Sequence, residues 1–75
     1  MGPYSSREVV RALERLGFER VSQRGSHLKL RRRTSEGTRT TIVKMGAREV
    51  PAGTLASILR QAGLSRHQFE VATEG

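Results

Sequence analysis

Gly25-Ser26-His27-Leu28-Lys29-Leu30-Arg31-Arg32 decides how the whole chain is read. From Ser26 to Arg32, apolar and polar residues alternate. Successive side chains of a strand point to opposite faces, so Leu28 and Leu30 share one face while His27, Lys29 and Arg31 share the other. Gly25-Ser26 suits a two-residue hairpin turn, because glycine tolerates the positive φ of type II′. The preceding segment, Phe18 to Arg24, carries strand formers in Phe18 and Val21 and predicts the other arm of that hairpin. Arg33 to Thr38 contains Thr-Ser-Glu-Gly and reads as a loop. Arg39 to Lys44 is rich in β-branched residues and predicts a third strand.

Helical signals flank this β region. Ser5-Ser6-Arg7-Glu8 has the form of a capping box, with Ser5 as N-cap and Glu8 three residues on. Val9, Leu13 and Leu16 follow at helical spacing, widened by Val10 and Ala12, and Gly17 suits a left-handed end. A first helix over Ser6–Leu16 results, with Arg7, Arg11 and Arg15 on its solvated face. Met45 to Gly53 reads as irregular. Thr54 is placed to cap a helix carrying Leu55, Ile58, Leu59 and Ala62, ended by Gly63. Ser65-Arg66-His67-Gln68 repeats the capping-box pattern and opens a short last helix around Phe69, with Ala72 to Gly75 frayed. His67, in its first turn, is expected to be exposed. The order is α-β-β-β-α with a short C-terminal helix. Its compact solution is an α+β fold, an antiparallel three-stranded meander with helices on one face. No repeat or internal boundary divides residues 1–75, which read as one domain.

Composition narrows the function. There are no cysteines, which excludes disulfides and thiolate metal sites, and two histidines with few acids make other metal sites or cofactors unexpected. No apolar run approaches the roughly 20 residues that span a bilayer, and the start of the chain lacks a signal-peptide core. Met1-Gly2-Pro3-Tyr4-Ser5-Ser6 fits the loose myristoylation pattern, but Pro3 beside Gly2 argues against it. A cytoplasmic protein is expected. Net charge is +7, and it is concentrated. From Arg20 to Arg48 there are nine basic residues against one acid, Glu36. Such a patch attracts polyanions, nucleic acid foremost. Tyr4, Phe18 and Phe69 are scattered, with Phe18 and Phe69 suited to the core, so there is no aromatic platform for splayed bases. Recognition through backbone and 2′-hydroxyls is expected instead.

His27 is the candidate for proton transfer, with Arg24, Lys29, Arg31, Arg32 and Arg33 as phosphate holders. An imidazole moves protons near neutral pH, and guanidinium groups grip phosphate. RNA can be cut by its own 2′-hydroxyl attacking the neighbouring phosphorus. That reaction needs a base, an acid and positive charge around the phosphorane. The acid is not evident from the residues; Lys29 and water are both open. Ser26, next to His27, points to the opposite face and reads as a turn residue rather than a nucleophile. Spacing alone does not distinguish a nuclease from a non-catalytic RNA-binding module.

At this point the chain resembles the HicA family of bacterial toxins. The resemblance runs roughly from Ser6 to Phe69 and rests on Leu16-Gly17-Phe18, Gly25-Ser26-His27, Gly53-Thr54-Leu55, Ile58-Leu59 and Ala62-Gly63-Leu64-Ser65. It implies a fold like the double-stranded-RNA-binding domain, endoribonuclease action on mRNA through His27, and silencing by a HicB-type antitoxin that covers the active site. A monomer is expected when free. One departure stands out: where many relatives carry Pro-x-His after the third strand, this chain reads Val43-Lys44-Met45. The second histidine is absent, and Lys44 becomes a candidate phosphate contact in its place.

Overall fold

The computed structural model describes residues 3–75. Met1 and Gly2, and with them the myristoylation pattern, lie outside the described residues. Six elements follow in order: α1 (Ser6–Arg15), β1 (Glu19–Arg24), β2 (His27–Thr34), β3 (Gly37–Lys44), α2 (Ala52–Ala62) and α3 (Arg66–Glu74). The strands form one antiparallel sheet in the order β1-β2-β3. α1 and α2 pack on β3, and α3 packs on α1. This is the α+β, double-stranded-RNA-binding-domain-like arrangement expected from the sequence.

Leu28, Leu30 and Val43 supply the sheet's share of the core and meet Val9, Val10, Leu13, Leu55, Ile58, Leu59 and Phe69 from the helices. Tyr4 joins them, its ring edge-on to Phe69 at 5.0 Å between centroids. It belongs to the core, along with the two phenylalanines expected there. The first hairpin is the predicted one. Arg24 pairs with His27 across Gly25-Ser26. Gly25 has φ +55° and Ser26 has no positive φ, the sign pattern of a type II′ turn.

Four boundaries differ from the sequence reading. The loop expected over Arg33–Thr38 shrinks to Ser35-Glu36, because Thr34 pairs with Gly37 and Arg33 with Thr38. The Thr34 hydroxyl closes that turn by accepting from the Glu36 N–H and donating to the Gly37 carbonyl. Thr54 is not a cap: Pro51 holds the N-cap position of α2, and its carbonyl accepts from the Leu55 N–H. Proline's fixed φ suits the start of a helix, so the helix begins earlier and carries Gly53 and Thr54 in its first turn. Ala72 to Gly75 is not frayed, since α3 runs to Glu74, Ala72 is buried, and Arg15 Nη1 donates to the Ala72 carbonyl at 2.9 Å. α1 ends at Arg15, with Leu16 as its C-cap.

Ser6 ties the helical layer to the far end of the sheet. Its hydroxyl donates to the Lys44 carbonyl (2.6 Å) and accepts from the Ala47 N–H (3.2 Å). Its own N–H donates to the Ala47 carbonyl. Ser6 is 1% exposed, so water cannot replace these partners. Ser6→Ala leaves the part-buried Lys44 carbonyl and Ala47 amide without that hydroxyl. It is expected to cost about 1–3 kcal/mol, measurable by denaturant titration.

The two helix-opening boxes form as read, Ser5 with Glu8 and Ser65 with Gln68. The Ser5 backbone N–H donates to Glu8 Oε1 and, with the Ser5 hydroxyl, holds the Glu8 carboxyl below its ordinary value of 4.5. A carboxylate depressed by folding stabilises the native state above its unfolded value, and that contribution fades as pH falls through the folded one. In melts at about pH 7 and about pH 3, the wild type should therefore lose its stability advantage over Glu8→Gln at the acid end.

Candidate active site on the open sheet face

Strand alternation sorts the basic segment into two sets. Leu28 and Leu30 turn toward the helices, which sends His27, Lys29, Arg31 and Arg33 to the uncovered face. Cross-strand partners share a face, so the register fixes their company. His27 stands between Arg24 on β1 and Lys44 on β3, one row of three basic side chains across the sheet. Behind it comes the row Ser22, Lys29, Ile42, and then the row Glu19, Arg31, Thr40. Arg33 and Thr38 make the last row, beyond the end of β1.

A β-bulge makes this arrangement possible. Arg20 pairs with Leu30 but Ser22 with Lys29, leaving Val21 as the extra residue. Phe18 is buried, and simple alternation from it would send Ser22 and Arg24 to the helix side. The bulge resets the period, so Phe18 stays inside while Ser22 and Arg24 join His27 outside.

Ser22, Arg24, His27, Lys29 and Ile42 line a shallow hollow of about 260 Å³. His27, Arg24, Lys29 and Lys44 are all exposed. None of these side chains makes a hydrogen bond or ion pair among the described residues; the two ion pairs are Arg20–Glu14 and Arg66–Glu70, elsewhere on the surface. The imidazole therefore has no carboxylate to orient it, and its neighbours carry positive charge. Such a group is equipped to engage an incoming polyanion. Among the described residues, no three His, Cys, Asp or Glu side chains converge as metal ligands. His67 is exposed at the start of α3, outside the sheet.

Of the candidate residues, Arg24, His27, Lys29 and Lys44 come together, and Arg31 and Arg33 continue the same face along β2. Arg32 does not. It points to the helix side, where Nη1 donates to the Leu16 carbonyl at 3.0 Å and the guanidinium lies over the Phe18 ring at 5.3 Å. Its stem packs against Gly17, whose φ of +99° and lack of a Cβ leave the room. A cation there meets the electronegative C-terminal end of α1, which explains its direction. Arg32 is a helix-end clasp in place of the phosphate contact expected from the Arg31-Arg32-Arg33 run. Ser22 and Ile42 were not singled out in the sequence. Ile42 is signalled by parity with Lys44, while Ser22 is hidden by the bulge. Met45, one residue past Lys44, is half-buried and packs on the core.

A protein-family model described as the HicA toxin of bacterial toxin-antitoxin matches residues 6–64. No curated protein matches the chain.

The two faces make separable predictions. Lys29→Ala should weaken binding of a polyanionic oligonucleotide and flatten its salt dependence by about one phosphate contact, without lowering the melting temperature. Arg32→Ala should do the reverse, lowering the melting temperature while leaving the salt slope in place. Calorimetry and a fluorescence titration on the same samples check both.

Proposed function

The chain belongs to the HicA family of bacterial toxin–antitoxin toxins, and from that premise we propose that it is a metal-independent endoribonuclease that cuts mRNA and so stops translation. The observation that carries this reading is the row Arg24, His27, Lys44, one imidazole flanked on both sides by cations on an uncovered face. His27 takes the proton from the ribose 2′-hydroxyl. The freed oxygen bonds to phosphorus and the bond to the 5′-oxygen breaks, giving a 2′,3′-cyclic phosphate. The departing 5′-oxygen takes a proton from water, which reaches this exposed site freely. Arg24, Lys29 and Lys44 surround the phosphorane and offset its charge. A positioned base contributes roughly 10²–10⁴-fold, and fixed positive charge adds several kcal/mol.

A HicB-type antitoxin would silence the enzyme by covering the same face. Ile42 is 50% exposed amid the cations and Val21 is 41% exposed on the bulge. Apolar side chains within a charged surface give a covering acidic protein both contact area and complementarity. The free toxin is a monomer acting in the cytoplasm. Among the described residues, no helix is long and apolar enough to cross a membrane.

Purified protein incubated with end-labelled RNA, with and without chelator, tests the reading. Cleavage is expected to survive the chelator, and His27→Ala should lower its rate at least about 100-fold. Because His27 is exposed, the variant should melt like the wild type. A folded His27→Ala protein that still cuts RNA at full rate overturns the role of His27. Salt-sensitive binding with no cleavage by the wild type would make the protein a non-catalytic RNA-binding module.

A further inference from the structure

We infer that the open face holds a single strand of RNA lengthwise along β2, over about four phosphates, with the scissile linkage at one end of that footprint. The position of the cut rests on the nuclease reading above; the footprint does not.

His27, Lys29, Arg31 and Arg33 alternate along β2 on one face. Alternate residues of a strand lie about 6.6 Å apart, so the four side chains form a nearly straight line of about 20 Å. That pitch is close to the separation of successive phosphates in an extended single strand. A duplex winds its phosphates around an axis and is gripped at separated points across its minor grooves, leaving most of a straight row unmatched.

The flanks of the line also differ. On the β3 side, Arg31 is beside Thr40 and Arg33 beside Thr38, each cation paired with an exposed hydroxyl. On the β1 side, Arg31 faces Glu19, the one acid in these rows. Carboxylate on one flank and hydroxyls on the other press a polyanion toward the β2–β3 seam. There each phosphate meets a cation, and each hydroxyl is free to bond a phosphate or a ribose 2′-hydroxyl. In the second row Ile42 stands where the third and fourth rows carry threonine, so the nucleotide next to the cut meets an apolar surface.

The line runs one way only. His27 begins β2, directly after the Gly25-Ser26 turn, whose Ser26 carbonyl accepts the Met45 N–H and closes that end of the sheet. Every further cation of the line is on the Arg33 side. RNA bound along it is therefore held firmly on one side of the scissile linkage and loosely on the other.

Binding is measured with the wild-type protein and fluorescent single-stranded 2′-O-methyl oligonucleotides from two to eight nucleotides, which lack the attacking hydroxyl, beside a blunt duplex of the same chemistry and equal length. Affinity should climb with length to about four phosphates and then level, and the duplex should bind at least tenfold more weakly. Arg31→Ala/Arg33→Ala should level at about two phosphates and reduce the slope of log affinity against log salt by about 1.4, since each phosphate contact on a single strand contributes about 0.7. Wild-type protein with end-labelled RNAs then locates the cut. Efficient cleavage should need extra nucleotides on one side of the linkage only. Equal binding of duplex and single strand, or a slope the double variant leaves unmoved, overturns the footprint. An equal need for nucleotides on both sides overturns the placement of the cut. No binding of either nucleic acid also overturns the footprint and leaves the face to an acidic protein partner. Length-dependent binding without cleavage upholds the footprint and removes the nuclease reading.

Discussion

The open face depends on the period of two along β2. Leu30 is 0% exposed and Leu28 almost as buried, and both are clamped by the helices. Burying a leucine side chain stabilises by about 1.5–3 kcal/mol. A slip of one residue would lose both and drive His27, Lys29 and Arg31 into the core, where unpaired charge is far more costly. The core therefore dictates where the imidazole points. Nothing on the open face has to hold it there, which fits the absence, among the described residues, of any hydrogen bond to its ring. Ser6 extends the same control to β3, since its bond to the Lys44 carbonyl fixes the backbone beside His27.

A face built of adjacent cations carries strain of its own. Two unit charges 4 Å apart repel by about 1 kcal/mol in water and by several times that near a protein surface. Arg24 and Lys44 flank His27 without any acid in their row. Full exposure keeps the repulsion tolerable, and the covered face offsets it. The arrangement costs the free protein stability and favours any polyanion or acidic surface that relieves it. Elsewhere the arginines are used differently: Arg32 and Arg15 each donate to a carbonyl at or near a helix end. Along β2, Arg32 thus clasps a helix end on one side of the sheet while Arg31 and Arg33 stand on the open side, and parity decides which.

Much of this was legible in the sequence because local rules agreed with the tertiary outcome. The alternation through Leu28 and Leu30, the Gly25-Ser26 turn and both capping boxes form as read. The misses share a physical origin in interactions that sequence proximity does not display. The second hairpin is longer than expected because the Thr34 hydroxyl closes a two-residue turn, so Thr-Ser-Glu-Gly contains strand ends as well as loop. α3 keeps its last turn because Arg15, far away in sequence, donates to the Ala72 carbonyl. Arg31-Arg32-Arg33 looked like one cationic block, although a strand must split it between faces. Ser22 was invisible because a bulge at Val21 changes which residues count as outward.

Met45 shows how the chain apportions its last strand residues between packing and chemistry. It sits one residue past Lys44, packs on the core, and gives its N–H to the Ser26 carbonyl at 2.6 Å. That bond joins the end of β3 to the turn that presents His27. The side chain at this position contributes to packing, and no second imidazole accompanies the first. A single imidazole on an exposed face can transfer one proton within its reach, and water is abundant for the other. What water does not provide is fixed positive charge at the phosphorus. Preorganised charge is usually the larger part of stabilising a transition state that gains charge. In the proposed reaction, a site with one imidazole and two flanking cations would supply the component that solvent cannot replace.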